Sequence, residues 1–265
     1  MSRSIIFLVF LGIFSTPVFA LRIVSISPVV TEIVYALGEG PSLVGATRWC
    51  TYPEAAKALP RIGDATLNFE SIVSLHPDLV LGVGNKSSDL AKLKALHLNT
   101  EILTSPRSIE DIYSLILSIG KKLNRSDHAR VLVSQLRKKS PTPSKTSKPK
   151  PRVLVVLWAK PIITAGKTSY INSMIEKAGG ENIGALSTHE YPTLSAESII
   201  ASNPDVVIAT HPDLIKELEK VPFWPLLKAT KNHHIYVVES DLISRAGPRF
   251  VDGISAINKA IREAQ

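Results

Sequence analysis

Two glutamates occupy equivalent places in a twelve-residue segment that the chain contains twice. Residues 70–81 return as residues 197–208 with six identical positions, and both copies begin with Glu-Ser-Ile. Each glutamate follows a capping residue by two positions, so Glu70 and Glu197 fall in the first turn of a short helix. A carboxylate there complements the positive end of the helix dipole. Two such charges could also bind a cationic partner with two-fold symmetry, and both interpretations stay open at this point.

The spacing of the two copies indicates two related lobes. They lie 127 residues apart in a chain of 265 residues, far beyond the roughly 20–50 residues of a solenoid repeat. Two lobes leave a cleft between them, and clefts between domains are common binding sites for small molecules. The repeat therefore favours a two-lobed binding protein.

The histidines show one arrangement that could do chemistry. None of the seven has a metal-ligand spacing such as His-Glu-x-x-His. His76 stands in the first copy of the repeat where Asn203 stands in the second, which is typical of a polar helix-end residue. His189 lies two residues before Tyr191, and a histidine or tyrosine at a cleft could bind haem iron axially.

Motifs for catalysis are weak. The sequence 166–168, Gly-Lys-Thr, imitates the end of a phosphate loop, but Pro161 replaces the glycine that this loop requires five residues earlier. No Gly-x-Ser-x-Gly nucleophile motif occurs. An exported enzyme on the same scaffold is an alternative hypothesis, with Asp64 and Asp241 as its acid–base pair. Solvation at the cleft rim or contact with a ligand explains both aspartates better, so we expect a protein that is not an enzyme.

Short β-branched runs alternate with helical patterns, as in βα units on a parallel sheet. In the first half we expect strands at residues 22–26, 43–46, 79–81 and 99–103, and helices at 28–37, 108–123 and 126–139. In the second half we expect strands at residues 152–157, 206–208 and 235–238, and helices at 169–177 and 248–263. Ser27 and Ser126 are the expected caps of two of these helices.

The remaining features divide the chain. Residues 1–20 have a basic start, an apolar run of about ten residues and a Val-Phe-Ala cleavage site, which predicts a signal peptide and export to the periplasm. A single cysteine, Cys50, excludes an internal disulfide.

We expect an α/β protein with two Rossmann-like lobes, residues 21–124 and 152–265, whose mainly parallel sheets are bridged by a helical segment and a basic linker at residues 125–151. That linker holds much of the excess positive charge without aromatic residues, so nucleic-acid binding is not expected.

Four segments carry a resemblance to a known family. Residues 22–32, 68–80, 179–183 and 244–249 resemble, in order and spacing, the periplasmic binding proteins of vitamin B12 and iron-chelate ABC importers. The similarity runs from about Leu21 to the C-terminus and is closest to the members that bind cobalamin. It implies a class III periplasmic binding protein: two α/β lobes bridged by a long helix, a ligand held between the lobe tips, and a monomer that docks on a dimeric permease.

The resemblance also implies roles for individual residues. Glu70 and Glu197 match the two glutamates that pair with permease arginines. Ligand positions of the family fall on Pro28, Trp49, Tyr191, Asp241 and Arg245. Three further ligand positions carry other residue types than the cobalamin-binding members have: Asp64 and Val83 replace tryptophans, and Ile163 replaces a phenylalanine. We therefore expect cobalamin or a related corrinoid as the ligand, with haem or a ferric siderophore as the alternative, no resident cofactor and no metal site of the protein's own.

Overall fold

The computed structural model describes residues 21–84, 87–142 and 149–265. The predicted signal peptide, residues 1–20, lies outside the described residues, as does the middle of the basic linker. Within the described ranges, no helix combines the length and the apolar character that a membrane span needs.

The first half of the chain alternates strands and helices as its sequence predicts. Its elements are β1 (Ile23–Ser25), α1 (Pro28–Ala36), β2 (Leu43–Ala46), α2 (Phe69–Ser74), β3 (Leu79–Val83), α3 (Ser87–Ala95), β4 (Thr100–Leu103), α4 (Ile109–Lys122) and α5 (Ser126–Lys139). Short 3-10 turns occur at Gly40–Ser42 and Glu54–Ala58. The side chain of Ser108 caps α4 by accepting a hydrogen bond from the Asp111 amide at 3.1 Å. The expectation that Ser126 caps α5 is wrong, because Ser126 is the first residue of the helix and Arg125 precedes it without a side-chain cap.

The second half repeats the same alternation. Its elements are β5 (Arg152–Val156), β6 (Trp158–Ala159), β7 (Ile162–Ile163), α6 (Tyr170–Lys177), β8 (Glu181–Asn182), α7 (Ala196–Ser202), β9 (Val206–Ala209), α8 (Pro212–Leu218), α9 (Lys228–Lys231), β10 (Ile235–Val237), α10 (Ser240–Ser244) and α11 (Phe250–Glu263). Further 3-10 turns occur at Ile183–Leu186 and Trp224–Leu226. The antiparallel hairpin of β6 and β7 is an addition that the first half lacks among its described residues.

Each half builds a four-stranded parallel sheet with the same strand order. The first sheet is ordered β2-β1-β3-β4, and the second is ordered β8-β5-β9-β10. In both sheets the first strand of the half is central, the next strand of the same sheet lies on one side, and the two later strands lie on the other. This confirms the predicted α/β class with two lobes of parallel sheet.

The aspartate of the repeat fixes the start of the central strand in each lobe. The amide of Arg22 donates to the Asp78 carboxylate at 2.8 Å, and the amide of Arg152 donates to Asp205 at 2.8 Å. The amide of each aspartate donates back to the carbonyl of the same arginine, also at 2.8 Å. The repeated segment therefore ties a short helix and a strand to the strand beside it in both lobes.

One apolar cluster extends from the first lobe into the second. It joins β1, α1 and α4 to β5, α6 and α11 through buried side chains. At this boundary Tyr113 of α4 packs edge-on against Phe250 of α11, with ring centroids 5.6 Å apart. Such a pair contributes about 0.5–1.5 kcal/mol beyond the area it buries. The lobes are therefore joined by a packed core as well as by the linker.

Candidate functional site

The lobes meet beyond the carboxyl ends of their strands. Glu32 follows β1 and Trp49 follows β2, and Arg245, which follows β10, contacts both across the lobe boundary. In each sheet the order in which strands are added reverses beside the central strand. The reversal lies between β1 and β3 in one lobe and between β5 and β9 in the other. Open parallel sheets bind ligands outside the carboxyl ends of their strands at such reversal points. The cleft between these strand ends is the candidate site.

Pro28 lies at a rigid corner of this cleft. It is the first residue of α1, and its half-buried ring directly follows the buried turn after β1. The turn is fixed by two hydroxyl groups: Ser25 donates to the Ser27 carbonyl at 2.9 Å, and Thr31 donates to the Ser25 hydroxyl at 2.8 Å. The fixed φ of proline suits the first helical position, so the ring is presented with little freedom.

Trp49 projects from an anchored loop. Its side chain is 57% exposed, whereas the neighbouring Cys50 is buried as a free thiol. The guanidinium of Arg61 holds the loop by donating to the carbonyls of Thr47 at 3.0 Å and Cys50 at 3.2 Å. An exposed indole on a fixed backbone offers a preformed apolar face to a ligand.

Val83 and Asp64 differ in what surrounds them. Val83 ends β3 at the reversal point and is half-buried, packed against the main apolar cluster. Asp64 pairs with Arg48 at 2.9 Å, and both side chains are well exposed. The structure therefore places Asp64 in a surface ion pair with Arg48, whereas Asp241 is paired with Arg245 and Arg249.

Ile163 and Tyr191 are brought onto neighbouring segments. Ile163 of β7 forms an antiparallel bridge with Thr193, two residues after Tyr191. The Tyr191 ring is 45% exposed, while burial of its hydroxyl raises the pKa of that group. His189 lies on the same segment with an exposed side chain, and its amide donates to the Ser187 hydroxyl at 3.2 Å. The C-terminal lobe thus presents one aliphatic and one aromatic side chain side by side.

Arg245 and Asp241 belong to an ionic network between the lobes. Arg245 Nε lies 2.9 Å from Asp241, which is the i, i+4 pair that their spacing predicts. The same guanidinium also donates to the Trp49 carbonyl at 3.1 Å and lies 3.4 Å from Glu32. Arg249 binds both oxygens of Glu32, and this carboxylate raises the pKa of Arg249. Arg245 is therefore held largely by protein groups, with 15% of its side chain exposed.

Glu32 and Arg249 are functional residues that the sequence reasoning missed. Glu32 is the only fully buried carboxylate among the described residues, with its side chain 2% exposed. Both residues lie inside segments that carry the family resemblance, but nothing in the sequence indicates that they are partners. Arg249 also lies over the Tyr52 ring, 4.0 Å from its centroid, so a cation–π contact adds to the junction.

A cavity of about 520 Å³ occupies the reversal point of the C-terminal lobe. Its walls come from the residues that follow β5, β9 and β10: Leu157, Trp158, Thr210, His211 and Ser240, with Asp213 and Glu217 of α8 at the side. Trp158 and His211 were not predicted from the sequence. The sequence feature that could have indicated them is their position just after the central strands β5 and β9, because loops that follow such strands often carry functional residues.

Glu70 and Glu197 are exposed in the first turns of α2 and α7. The caps are as predicted, since the Ser71 amide donates to Asn68 at 2.9 Å and the Ser198 amide donates to Ser195 at 3.2 Å. Hydrogen bonds from its own backbone amide and from Ser195 lower the pKa of Glu197, which keeps this carboxylate charged. The two carboxylates therefore remain available to a partner outside the cleft.

An aliphatic side chain accompanies each of these glutamates. Val73 and Ile200 stand one helical turn after Glu70 and Glu197, and they are 40% and 43% exposed. Residues three positions apart lie on the same face of a helix. Each helix thus presents a carboxylate and a branched apolar group together.

Metal binding by the protein's own side chains has no support in the structure. Among residues 21–84, 87–142 and 149–265, no three His, Cys, Asp or Glu side chains lie close enough together to hold an ion. A metal that is already held in a macrocycle needs only one axial protein ligand, so such a molecule is a separate case.

Comparison with known proteins identifies the scaffold. The profile of the periplasmic binding protein family matches residues 23–242. An uncharacterised ABC transporter substrate-binding lipoprotein of Bacillus subtilis (strain 168) is 32% identical over 252 residues, covering 91% of this chain and 79% of the relative. The vitamin B12-binding protein of Vibrio vulnificus (strain YJ016) is 29% identical over 248 residues, covering 89% and 88% of the two chains.

A solved structure has the same fold. The apo periplasmic heme-binding protein RhuT of Roseiflexus sp. RS-1 superposes with a TM-score of 0.80 and 28% sequence identity, covering 92% of this chain and 98% of that chain. The names of all three relatives describe binding proteins. With two parallel-sheet lobes, a cleft at their strand ends and a family match over most of its length, this chain belongs to the periplasmic binding protein family as an ABC-type substrate-binding protein.

Proposed function

We propose that this protein captures cobalamin, or a related corrinoid, between its lobes and delivers it to a dimeric ABC permease in the inner membrane. The observation that carries the proposal is the similarity to the vitamin B12-binding protein of Vibrio vulnificus, which spans nearly all of both chains. Residues 1–20 direct export and are removed, and the mature protein works as a monomer in the periplasm.

The chemistry of the cleft supports a large ligand with an apolar face. Trp49 and Tyr191 offer exposed aromatic rings, one from each lobe, and Pro28, Val83 and Ile163 are partly exposed apolar side chains. A corrin ring has broad apolar faces and a rim of amide groups. Asp64 at the exposed rim and the partly exposed edge of the Asp241–Arg245 pair supply hydrogen-bonding groups for those amides.

Haem is the second candidate, and two observations favour it. RhuT of Roseiflexus, whose name describes a heme-binding protein, superposes closely on this chain. The cleft region also carries histidines, and an imidazole can serve as an axial ligand of haem iron. His189 and Tyr191 are the iron ligands that the sequence suggests for this alternative.

Titration of the purified mature protein decides between these ligands. Cyanocobalamin, haemin and a ferric hydroxamate siderophore are each added while binding heat and absorbance are recorded. Saturable one-to-one binding of cyanocobalamin that is tighter than the binding of the other two supports the corrinoid assignment. Tight haemin binding without cobalamin binding overturns it in favour of haem.

The enzyme hypothesis has a separate test. Asp64 and Asp241 are each ion-paired to an arginine, and neither contacts a nucleophile in the described part of the chain. Ligand that is recovered unchanged by mass spectrometry after long incubation dismisses catalysis. A modified product whose yield falls in the Asp64→Asn variant supports it.

A further inference from the structure

The loop that carries Trp49, residues 47–53, is fastened from both lobes. From its own lobe, the guanidinium of Arg61 donates to two carbonyls of the loop. From the C-terminal lobe, Arg245 Nη2 donates to the Trp49 carbonyl at 3.1 Å, across a separation of 196 positions in the sequence. The Thr51 amide donates to the same carbonyl at 3.0 Å. The backbone beneath the exposed indole is thus fixed partly by the other lobe.

Arg245 has a different protein partner for each of its guanidinium nitrogens. Nε lies 2.9 Å from Asp241, Nη1 lies 3.4 Å from Glu32, and Nη2 binds the Trp49 carbonyl. Three acceptors in three directions suit the planar fork of arginine, which the single ammonium group of lysine does not reproduce. The Arg245 side chain is 15% exposed and that of Asp241 is 30% exposed, so Asp241 is the more open member of this pair.

The support of Arg245 is shared with a second arginine on the same loop. Glu32 accepts hydrogen bonds from Arg249 at 2.7 Å and 3.0 Å, and this carboxylate also faces Arg245. Arg249 lies over the ring of Tyr52, 4.0 Å from its centroid, and Tyr52 belongs to the loop of Trp49. Charge-assisted hydrogen bonds of this kind are short and directional. One buried carboxylate therefore holds both arginines that reach the loop from across the cleft.

The indole of Trp49 depends on its backbone for its position. Its side chain is 57% exposed, and within the part of the chain that the structure describes no hydrogen bond engages the ring. A contact group that is in place before the ligand arrives loses less freedom on binding, which favours affinity. Whatever fixes the Trp49 backbone therefore also contributes to the affinity for a ligand that packs on this ring.

We propose that Arg245 is a positioning residue, which holds the Trp49 backbone from across the cleft and so sets where the indole meets the ligand. Glu32 acts one step further away, by fixing Arg245. The family resemblance places a direct ligand contact at Arg245, and the positioning role replaces that contact. This role rests on the proposed function, because it needs a ligand that packs on Trp49.

The test is a double-mutant cycle with cyanocobalamin as the titrated ligand. Arg245→Met keeps an unbranched side chain, removes its hydrogen-bond donors and leaves Glu32 paired with Arg249, so the variant should fold. We expect it to weaken binding by about three- to tenfold in wild type but by less than about twofold in a Trp49→Ala background, because coupled residues do not add. A residue that contacts the ligand directly gives the same loss in both backgrounds.

A second readout needs no ligand. The chain has three tryptophans, so labelling with 5-fluorotryptophan gives three ¹⁹F resonances, and Trp49→Phe identifies the one that belongs to Trp49. Arg245→Met should shift or broaden that resonance and leave those of Trp158 and Trp224 in place, because the change acts on one loop. A general loosening of the fold would also move the resonance of Trp224, which is buried.

The conservative variant separates the fork from the charge. Arg245→Lys keeps a cation beside Glu32 and Asp241 but cannot reach three acceptors at once. It should therefore melt near wild type and still bind cyanocobalamin several-fold more weakly. Wild-type affinity in Arg245→Lys would show that the hydrogen bond to the Trp49 carbonyl is not needed.

Arg137→Met is the matched control. Arg137 binds Glu110 through two nitrogens and lies over the Tyr113 ring, so it combines a carboxylate and an aromatic partner as Arg249 does. All of these contacts lie within the pair of helices α4 and α5. The variant should leave both the affinity and the Trp49 resonance unchanged.

The outcomes separate this role from the proposed function. Equal losses in the two backgrounds, or an unmoved Trp49 resonance in Arg245→Met, refute the positioning role while the proposed function stands. If wild type binds haemin in place of cyanocobalamin, the corrinoid assignment fails and the cycle with haemin decides on Arg245. If wild type binds neither, the proposed function fails and the positioning of a ligand contact fails with it.

Discussion

The guanidinium of Arg249 binds both carboxylate oxygens of Glu32 across the lobe boundary, with Nη2 at 2.7 Å from Oε1 and Nε at 3.0 Å from Oε2. The two residues are 217 positions apart in sequence. Glu32 is buried and Arg249 nearly so, so the pair holds one arrangement of the lobes instead of exchanging with solvent. Arg245 adds a second cation to the same carboxylate.

Removing the charge of Glu32 should destabilise the protein strongly. Breaking a buried ion pair costs about 3–5 kcal/mol because the remaining charge is left without a partner. We expect Glu32→Gln to lower the melting temperature by roughly 6–20 °C, since 1 kcal/mol corresponds to about 2–4 °C for a chain of this size. Differential scanning calorimetry measures this change. Glu54→Gln, which removes an exposed pair with Lys57, is the control and should melt like wild type.

Truncating the cleft aromatics should weaken ligand binding without affecting folding. Trp49 and Tyr191 are largely exposed, so Trp49→Ala and Tyr191→Ala remove little core packing. Loss of an aromatic contact with a macrocycle should cost about 1–3 kcal/mol in affinity, measured by calorimetric titration with cyanocobalamin. Leu226→Ala removes an equally exposed apolar side chain elsewhere on the C-terminal lobe and should leave affinity unchanged. Wild-type affinity in both aromatic variants would place the ligand elsewhere.

The repeated glutamates should matter for docking and not for ligand affinity. Glu70→Ala or Glu197→Ala should weaken the complex with the permease by about 1–3 kcal/mol, with the larger effect at low salt, where charges are least screened. Reversal to lysine should be worse, because it brings like charges together. Surface plasmon resonance with reconstituted permease measures the effect, and Glu219→Ala, another exposed glutamate, is the control. Loss of ligand binding or of folding in the alanine variants would contradict a docking role.

The clamp formed by Asp205 should make stability depend on acid pH. Burial alone raises the pKa of Asp205, but hydrogen bonds from Lys228 and from the Arg152 amide, together with the charges of both residues, lower it on balance. Because the pKa of Asp205 in the folded protein lies below its unfolded value of about 3.9, the charged carboxylate stabilises the fold above about pH 4. This stabilisation is lost as the pH falls through the folded pKa. Asp205→Asn should therefore melt several degrees below wild type at pH 7, and the difference should shrink at about pH 3. A difference that is the same at both pH values would show that charge is not its origin.

The fold could be predicted from the sequence because the features that determine its helices and strands are local. Caps such as Asn68 and Ser195, and the apolar runs of the central strands, act within a few residues. The hairpin of β6 and β7 was missed since each strand is only two residues long, too short for an alternating pattern to appear.

The sequence predicted residues of the candidate site only where a local pattern or a family motif indicated them. Glu32 lies in an otherwise apolar helix, and its partners are more than 210 residues away, so no spacing rule connects them. Trp158 escaped notice because it lies in the β6–β7 hairpin, whose two-residue strands give no alternating pattern in the sequence.

The two copies of the aspartate clamp, at Asp78 and Asp205, have an evolutionary consequence. They give both lobes the same helix–strand arrangement, which places Glu70 and Glu197 at equivalent exposed positions. The strand ends that face the cleft carry different residues in the two lobes. Changes at the inner ends can accumulate in one lobe alone and alter what is carried. If Glu70 and Glu197 dock on the permease as proposed, these outer contacts need not change with the inner ends, so a lineage can acquire a new cargo while keeping its transporter.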